Sequence, residues 1–216
     1  MNRTDLVWAV GRVTLGTATR SLAPLRVYGA DRVPRAGGTV LAFNHFSWLD
    51  PPVFGAASPR NFFFLAKAEL HDVPVVGPLI RSFGTYAVRR GESDREAVRQ
   101  MRRCVHDGNA LGVFAEGTRQ RRGVPGEVKP GAAMVALQER SPVVCAAIHG
   151  TQLWKLGNFQ PVSVAWGRPV SFDDLPANGK GYREASAEIE RRIHALWRFL
   201  VDMHALGRPR HAAPPE

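Results

Sequence analysis

The sequence predicts an α/β fold: a single domain with a central, largely parallel mixed sheet flanked by helices. The length of 216 residues fits one ordinary domain with a sizeable core. Hydrophobic residues make up 44% of the chain, which suits a globular protein rather than a disordered one. Strand-like and helix-like segments also alternate along the chain, and this alternation favours a parallel sheet covered by helices.

Strands are predicted where short apolar runs are rich in β-branched or aromatic residues. These runs are Leu25–Tyr28, Thr39–Phe43, Asn61–Ala66, Phe83–Val88, Leu111–Ala115, Val143–Ile148 and Val162–Trp166.

Helices are predicted at Thr4–Ser21, Pro52–Ala57, Val76–Ser82, Asp94–His106, Ala132–Glu139 and Tyr182–Leu206. Along the last helix, Ile189, Ile193 and Leu196 share one apolar face, and Gly207 is a plausible stop. No repeat and no internal domain boundary is evident. We therefore divide the chain into an N-terminal amphipathic helix (1–24), a main domain (25–206) and a flexible tail (207–216).

The N-terminal helix has two plausible uses. Its residues Leu6, Val7, Val10 and Val13 lie near one another at helical spacing. The helix could pack on the domain, or it could lie on a bilayer with its arginines at the headgroups. Uninterrupted apolar stretches fall short of the roughly 18 residues expected of a membrane span.

Composition narrows the possible partners. Lys and Arg number 29 against 19 Asp and Glu, a formal net charge of +10, which favours anionic partners such as phosphorylated metabolites or an anionic membrane surface. No nucleic-acid-binding motif accompanies this charge. Cys104 and Cys145 are the only cysteines, so we expect packing residues in a reducing compartment rather than a disulfide framework.

The segment from Asn44 to Asp50 joins a candidate general base to a carboxylate. His45 follows a predicted strand, and Asp50 precedes Pro51 at the start of a predicted helix. A tight strand-to-helix turn would let Asp50 orient the imidazole while His45 deprotonates a substrate hydroxyl. Asp50 could instead cap the helix, and His45 could be a hydrogen-bonded histidine near the core.

Polar clusters follow three predicted strands. They are Asn44-His45, Arg89-Arg90 and Glu116-Gly117-Thr118-Arg119. Open α/β sheets bind ligands beyond the carboxyl ends of their strands, so this shared placement favours a site. Arginine also suits phosphate oxygens. The alternative for each cluster is a solvated surface turn.

Together these fragments resemble the 1-acylglycerol-3-phosphate acyltransferase (lysophosphatidic acid acyltransferase) family of glycerolipid acyltransferases. The resemblance covers residues 25 to 170 and rests on fragments in the family's order. They are His45 to Asp50, Phe64 to Leu70, Gly84 to Arg90, Glu116 to Arg119, Lys129 to Ala132 and Ile148 to Thr151. Two blocks depart from the family's pattern. In the block that ends at Arg90, Ala87 and Arg89 stand where the family usually has an aromatic and an acidic residue, so Arg90 is the matching arginine. In the last block, Cys145 stands where the family usually has proline.

The resemblance implies an acyltransferase in which His45 is the general base and Asp50 its orienting carboxylate. Its implied phosphate-binding residues are Arg90, Glu116, Gly117, Thr118 and Arg119, with weaker candidates Asn44, Lys67, Arg89 and Lys129. The acyl donor would be acyl-CoA or acyl carrier protein, as a substrate, with neither a cofactor nor a metal. The acceptor would be a lysophospholipid, most simply 1-acylglycerol 3-phosphate, which gives phosphatidic acid.

We expect a cytoplasmic enzyme associated peripherally with the inner face of the cell membrane. Three other functions stay open at this stage. They are an acyltransferase for another lysolipid or lipid precursor, an acyl thioesterase or lipid hydrolase, and a noncatalytic protein that binds anionic lipid.

Overall fold

The computed structural model describes residues 3–88 and 94–216. Seven strands form one sheet: β1 (Leu25–Tyr28), β2 (Thr39–Phe43), β3 (Phe63–Lys67), β4 (Tyr86–Val88), β5 (Ala110–Phe114), β6 (Val143–His149) and β7 (Val162–Val170). Their order across the sheet is β1-β7-β6-β2-β5-β3-β4. Strands β6, β2, β5, β3 and β4 run parallel to one another. Strand β7 runs antiparallel to β6, and β1 runs parallel to β7. The predicted mixed, largely parallel sheet is confirmed.

The helices are α1 (Arg3–Leu22), α2 (Asp50–Ala57), α3 (Ala68–His71), α4 (Val76–Ser82), α5 (Asp94–His106), α6 (Gly131–Glu139) and α7 (Gly179–Ala205), with a 3₁₀ turn at Ala30–Arg32. The predicted bounds of β1, β2, α4 and α5 match the structure. The four-residue α3 was not predicted, since it is too short to show a helical period. Helix α7 begins three residues earlier than predicted because the Asn178 side chain accepts hydrogen bonds from the N–H groups of Lys180 and Gly181.

Strand β2 is buried on both faces of the sheet, and its alternating side chains enter two separate cores. Val40 and Ala42 join the core beneath α5, α6 and α7. Leu41 and Phe43 join the core beneath α1 and α2. The two layers fix β2 firmly, so the residues that follow Phe43 start from a rigid position.

Helix α1 packs on the domain through Trp8, which is 4% exposed. Its indole N–H donates to the carbonyl of Phe83 at 3.2 Å, and its ring meets the edge of the Phe83 ring. Leu6, Val10 and Val13 point outward and are exposed by 50%, 54% and 70%. One of the two predicted uses of this helix, packing, is therefore present, and an apolar outer face is left over. Within residues 3–88 and 94–216, no helix has the length and apolar character needed to span a membrane.

The C-terminal segment, predicted as a flexible tail over residues 207–216, makes specific contacts. The Arg32 guanidinium donates to the carbonyls of Pro214 at 2.8 Å and Pro215 at 3.0 Å. Arg208 donates to the carbonyls of Pro24 and Val162. These bonds bring the segment against β1 and β7, while the proposed division of the chain at residues 24 and 206 stays a prediction.

Candidate active site

The register of the sheet places the ends of β2 and β5 side by side, next to β6, which continues for three more residues to His149. Phe43 at the end of β2 pairs with Phe114 at the end of β5 and with Ala146 in β6. Residues just beyond these ends therefore meet at one edge of the sheet, which we call the carboxyl edge. The polar clusters predicted after β2 and β5 lie together there.

A tight turn after β2 brings His45 and Asp50 into contact. Nδ1 of His45 lies 2.8 Å from Oδ2 of Asp50. The same oxygen accepts the backbone N–H groups of Phe46 at 2.6 Å and Ser47 at 2.8 Å, while Ser47 Oγ accepts the N–H of Leu49. Asp50 therefore closes the turn before α2 through two backbone N–H groups and contacts the imidazole with the same oxygen. The contact that the catalytic interpretation requires is present, whereas α2 begins at Asp50 and its N-cap is Leu49, without a side-chain cap.

The protonation pattern of His45 follows from its partner. An ionised carboxylate can only accept, so Nδ1 carries a proton, and in the neutral imidazole Nε2 is then the nitrogen with the free lone pair. The Asp50 carboxylate is fully buried at the first turn of α2, where the helix dipole favours negative charge. The His45 side chain is 17% exposed, and its ring stacks on Phe114 with centroids 4.0 Å apart. The imidazole is therefore held in one orientation with limited access to water.

Glu116 holds the main chain of His45. It is 2% exposed, and Oε2 accepts the backbone N–H of His45 at 2.8 Å. Its other oxygen, Oε1, accepts the N–H of Gly126, also at 2.8 Å. The resemblance assigned Glu116 to phosphate binding, but both of its oxygens face backbone donors inside the protein.

Burial raises the pKa of Glu116 to about 7, against an ordinary value of 4.5. The hydrogen bonds from Gly126 and His45 lower it, and the nearby charge of Asp50 raises it further. Desolvation is the largest of these effects. Glu116 consequently changes charge near neutral pH while it touches the backbone of His45.

The segment from Ala115 to Lys129, which we call the β5 loop, encloses His45 from the other side. The N–H of Gln120 donates to the carbonyl of His45 at 2.7 Å, and the N–H of Lys129 closes the loop on the carbonyl of Ala115 at 2.8 Å. Gly117 has a φ of 70°, a left-handed conformation that favours glycine. Gly117, Thr118 and Arg119 are exposed and remain free to face a ligand.

Asn44 is fully buried and bridges two strands. Its side-chain oxygen accepts the N–H of Ile148 at 2.8 Å, and its Nδ2 donates to the carbonyl of the same residue at 3.1 Å. These bonds join the end of β2 to β6 where the ladder would otherwise stop. The amide is thus engaged inside the protein rather than presented to a phosphate.

The remaining sequence candidates differ in what the structure says of them. Lys129 is exposed and pairs with Glu127 at 3.1 Å. Lys67 ends β3 at the carboxyl edge, but its side chain lies outside the described set. Arg89 and Arg90 lie outside the described residues, and their assignment to phosphate stays a prediction.

Sequence reasoning missed two residues that contact His45, namely Phe114 and Gln120, and it did not foresee the pair His149–His204 beside the end of β6. The two histidine rings meet edge to face at 4.6 Å, and Nε2 of His204 lies 2.9 Å from Oγ of Ser163. Burial lowers the pKa of His149 and lowers that of His204 to about 4, so both are neutral at physiological pH. His149 ends β6, and its position after an apolar strand was the signal available.

Other chemistry at the edge can be checked against the described residues. In residues 3–88 and 94–216, no cluster of three or more His, Cys, Asp or Glu side chains is placed to hold a metal ion. Cys104 and Cys145 are buried, and burial raises the pKa of each thiol to about 12. Both are packing residues, as expected from the sequence.

Comparison with known proteins gives a consistent picture. A family model described as Acyltransferase matches residues 24–149, which is more than half of the chain. The matched segment contains β1 to β6, the His45–Asp50 pair and the β5 loop.

Three relatives carry informative names. The chain is 27% identical over 158 residues to a 1-acyl-sn-glycerol-3-phosphate acyltransferase of Bacillus subtilis, an alignment that spans 71% of this chain and 78% of that protein. It is 38% identical over 96 residues to a lyso-ornithine lipid O-acyltransferase of Pseudomonas aeruginosa, over 44% of this chain and 36% of that protein. The crystal structure of the 1-acyl-sn-glycerophosphate acyltransferase PlsC of Thermotoga maritima shares the fold, with a TM-score of 0.73 at 23% identity, covering 94% of this chain and 81% of that one.

Proposed function

This chain belongs to the acyltransferase family, and on that premise we propose that it transfers an acyl group from a thioester to the free hydroxyl of 1-acylglycerol 3-phosphate. The product would be phosphatidic acid. The observation that supports this most is the 2.8 Å contact between His45 Nδ1 and Asp50 Oδ2 within the matched segment. The name of the Bacillus relative supports the choice of acceptor.

The mechanism is a general-base attack. Nε2 of His45 takes the hydroxyl proton as the acceptor oxygen attacks the thioester carbonyl carbon. The developing imidazolium is stabilised by the Asp50 carboxylate. The C–S bond then breaks, and the departing thiolate receives the proton from His45. A thiolate leaves readily, so no covalent enzyme intermediate is needed.

Arg119 is the proposed phosphate ligand in the described part of the site. It is exposed and lies next to Gln120, whose N–H holds the carbonyl of His45. A guanidinium there would place a phosphate close to the base, with Gly117 allowing close approach and Thr118 offering a hydroxyl. Arg90 and Lys67 are further candidates carried over from the family pattern.

A second acceptor is supported by one observation. The Pseudomonas relative, named for a lyso-ornithine lipid, is 38% identical over the segment it shares with this chain, against 27% over the longer Bacillus alignment. A lyso-aminolipid acceptor would use the same base and the same hydroxyl chemistry. Binding of this acceptor would depend less on Arg119, because the acceptor lacks the terminal phosphate.

We also propose that the enzyme works in the cytoplasm at the inner face of the cell membrane. The acceptor is a lipid, and the formal net charge of +10 favours an anionic membrane surface. The acyl donor in either case is acyl-CoA or acyl carrier protein.

An acceptor screen tests the proposal. Purified protein is incubated with a labelled acyl-CoA or acyl carrier protein and with lysophosphatidic acid, lyso-ornithine lipid or no acceptor, and lipid products are identified by mass spectrometry. We expect phosphatidic acid, and about a 10²–10⁴-fold loss with His45→Ala. Equal thiol release without any acceptor would identify a thioesterase instead.

A matched pair of arginine variants tests whether Arg119 binds the phosphate of lysophosphatidic acid. Arg119→Ala should raise KM for lysophosphatidic acid about tenfold or more, since charge-assisted hydrogen bonds are lost. Arg183→Ala, an exposed arginine on α7, should leave it unchanged. A KM for lysophosphatidic acid that is equal in both variants would remove Arg119 from the phosphate site.

A further inference from the structure

The exposed large hydrophobic side chains are distributed unevenly over the protein. They occur on α1, between β3 and β4, at the end of α7 and in the loops at the carboxyl edge. In the described ranges, the loops at the opposite edge contain none; those loops are residues 29–38, 58–62, 83–85, 107–109, 140–142 and 171–178. An exposed apolar surface confined to one side of a protein marks an interaction site.

Two parts of this exposure stand out: residues 70–79 between β3 and β4, and the loop between β6 and β7, which lies beside the segment that follows His45. Leu153, Leu156 and Phe159 are exposed by 55%, 80% and 57%, and nearby Trp48 by 64%. Trp48 meets the edge of the Trp154 ring with centroids 5.8 Å apart. We call Trp48, Leu153, Leu156 and Phe159 the apolar rim, because Trp48 lies three residues from His45 at the mouth of the site.

The apolar rim is built on a folded loop. Asn158 Oδ1 accepts the N–H groups of Lys155 and Gln160, each at 3.1 Å, and its Nδ2 donates to the carbonyl of Leu153 at 2.9 Å. The Trp154 indole N–H donates to the carbonyl of Leu22 at 3.0 Å, which ties the loop to the end of α1. Phe159 has a φ of 47°, an uncommon conformation for a non-glycine residue. The loop is therefore ordered with its apolar side chains turned outward.

Two loop segments next to the rim carry basic residues and no acidic ones. Exposed Lys155 lies within the loop, and exposed Arg121 and Arg122 lie in the neighbouring β5 loop. The two loops adjoin, since a Cβ on Gly123 would lie 3.1 Å from the Gln152 side chain. Residues 117–126 and 150–161 contain no Asp or Glu. These two segments therefore bring positive charge to the apolar rim, with no acidic residue of their own to neutralise it.

We propose that the apolar rim and its cations dock on an anionic lipid bilayer, which places the mouth of the site at the headgroup layer. The proposal rests on the proposed function, because a bilayer is where a lysophospholipid acceptor resides. Tryptophan and aliphatic side chains enter the interfacial region, while Lys and Arg remain among anionic headgroups. The rim differs from the outer face of α1, so each can be removed separately.

Vesicle binding by the full chain tests the rim directly. Phosphatidylcholine vesicles with and without phosphatidylglycerol are mixed with wild type and with Leu153→Ser/Leu156→Ser/Phe159→Ser, and bound protein is measured by co-sedimentation. We expect the triple variant to bind the anionic vesicles about tenfold more weakly or worse, since three apolar groups no longer enter the interface. Unchanged binding by a folded triple variant would overturn the proposal.

A charge-matched pair provides the control. Lys155→Glu should weaken binding to the anionic vesicles several-fold, because the reversed charge meets anionic headgroups. Lys180→Glu, at the start of α7 on the opposite edge, makes the same change in net charge and should bind like wild type. Equal losses in the two variants would mean that net charge alone drives binding, which would overturn the docking surface.

Tryptophan fluorescence adds a measurement that does not depend on activity. Brominated lipids should quench wild type and quench Trp48→Phe less, since Trp48 is exposed whereas the other four tryptophans are buried or half-buried. Equal quenching in the two proteins would contradict insertion of Trp48.

The docking surface and the proposed function fail in different ways. Acyl transfer to a lysolipid dispersed in detergent should survive in the triple variant. If wild type acylates no lysolipid yet binds vesicles through the rim, the proposed function fails while the docking surface stands. If sedimentation shows that the rim joins two copies of the chain and vesicles do not compete, the bilayer is the wrong partner.

Discussion

The backbone nitrogen of His45 lies 2.8 Å from Oε2 of Glu116, so a buried carboxylate from the β5 loop holds the main chain of the candidate base. Oε1 of the same carboxylate accepts the N–H of Gly126, and Gln120 donates to the carbonyl of His45. Both backbone polar groups of His45 are therefore engaged by one loop. Asp50 orients the imidazole ring of His45, whereas Glu116 fixes the position of its backbone N–H.

Replacement of Glu116 by Gln should slow the reaction without preventing folding. An amide offers one acceptor oxygen, so one of the two backbone N–H groups would face the NH₂ group of the amide. Displacement of a catalytic group by about 1 Å can reduce rate about 10²-fold. We expect kcat to fall about 10–100-fold with little change in KM. Glu127→Gln, at an exposed residue, is the control, and a wild-type kcat in Glu116→Gln would contradict the positioning role.

Glu116 should also give the stability of the protein a specific pH dependence. Its pKa in the folded protein, about 7, lies above its ordinary value of 4.5, so the folded state binds this proton more tightly. Its contribution is fully present below the lower value and is lost as pH rises through the higher one. Between about pH 5 and about pH 8, the free energy of unfolding of wild type should therefore fall by about 1–3 kcal/mol relative to that of Glu116→Gln. Urea denaturation of the two proteins at both pH values measures this difference. A difference that is constant with pH would show that Glu116 does not titrate there.

Asp50→Asn should remove activity through loss of charge. The amide oxygen can still accept hydrogen bonds, so the turn is retained, but the imidazolium loses its counter-charge and the preferred tautomer. We expect kcat to fall about 10²–10⁴-fold, by analogy with the loss of the carboxylate in a catalytic triad. Asp173→Asn, an exposed site at the opposite edge, should be neutral. Activity within a few-fold of wild type would leave Asp50 only its role in closing the turn after β2.

Asn44→Ala should affect stability more than a surface substitution does. The change leaves the N–H and carbonyl of Ile148 without the side-chain partners that they have in a fully buried location. Each unsatisfied buried group costs about 1–3 kcal/mol, so we expect the free energy of unfolding to fall by about 2–4 kcal/mol. Asn109→Ala keeps its backbone bonds to Thr39 and Cys104 and serves as the control in chemical denaturation. Equal stability of the two variants would mean that solvent replaces the lost bonds.

The two cysteines should resist thiol reagents in the native protein. Both are buried, and burial raises the pKa of each thiol to about 12, so little thiolate forms at neutral pH. We expect no labelling by a disulfide reagent under native conditions and labelling of both residues in denaturant. Rapid native labelling would show that Cys104 or Cys145 opens to solvent.

Local pattern was sufficient for most of the fold. The bounds of β2 and α5 could be predicted because an all-apolar run and an amphipathic period each have one good solution. Strand β7 continues four residues beyond its predicted end at Trp166, through a glycine, an arginine and a proline. This extension of β7 is stabilised by its pairing with β6. Pairing between strands cannot be predicted from a short stretch of sequence.

The site was predicted less completely, for a related reason. The His45–Asp50 contact was foreseeable because it lies within one turn of chain. Glu116 and Asn44 were assigned to the substrate, since a polar residue after a strand is typical of a ligand site. Glu116 bonds the backbone of His45, 71 positions away in the chain, and Asn44 bonds that of Ile148, 104 positions away. Backbone N–H and carbonyl groups occur in nearly every residue type. A sequence carries no mark of such bonds.

The bonds from the β5 loop to both sides of His45 couple catalytic competence to folding. The segments concerned are far apart in the chain, so the base reaches its position only after β2 and β5 have paired and the loop has closed. Without the β5 loop, neither backbone polar group of His45 would keep the partner that it has in the folded domain. The position of the proposed base is therefore a property of the whole domain rather than of the turn that contains it.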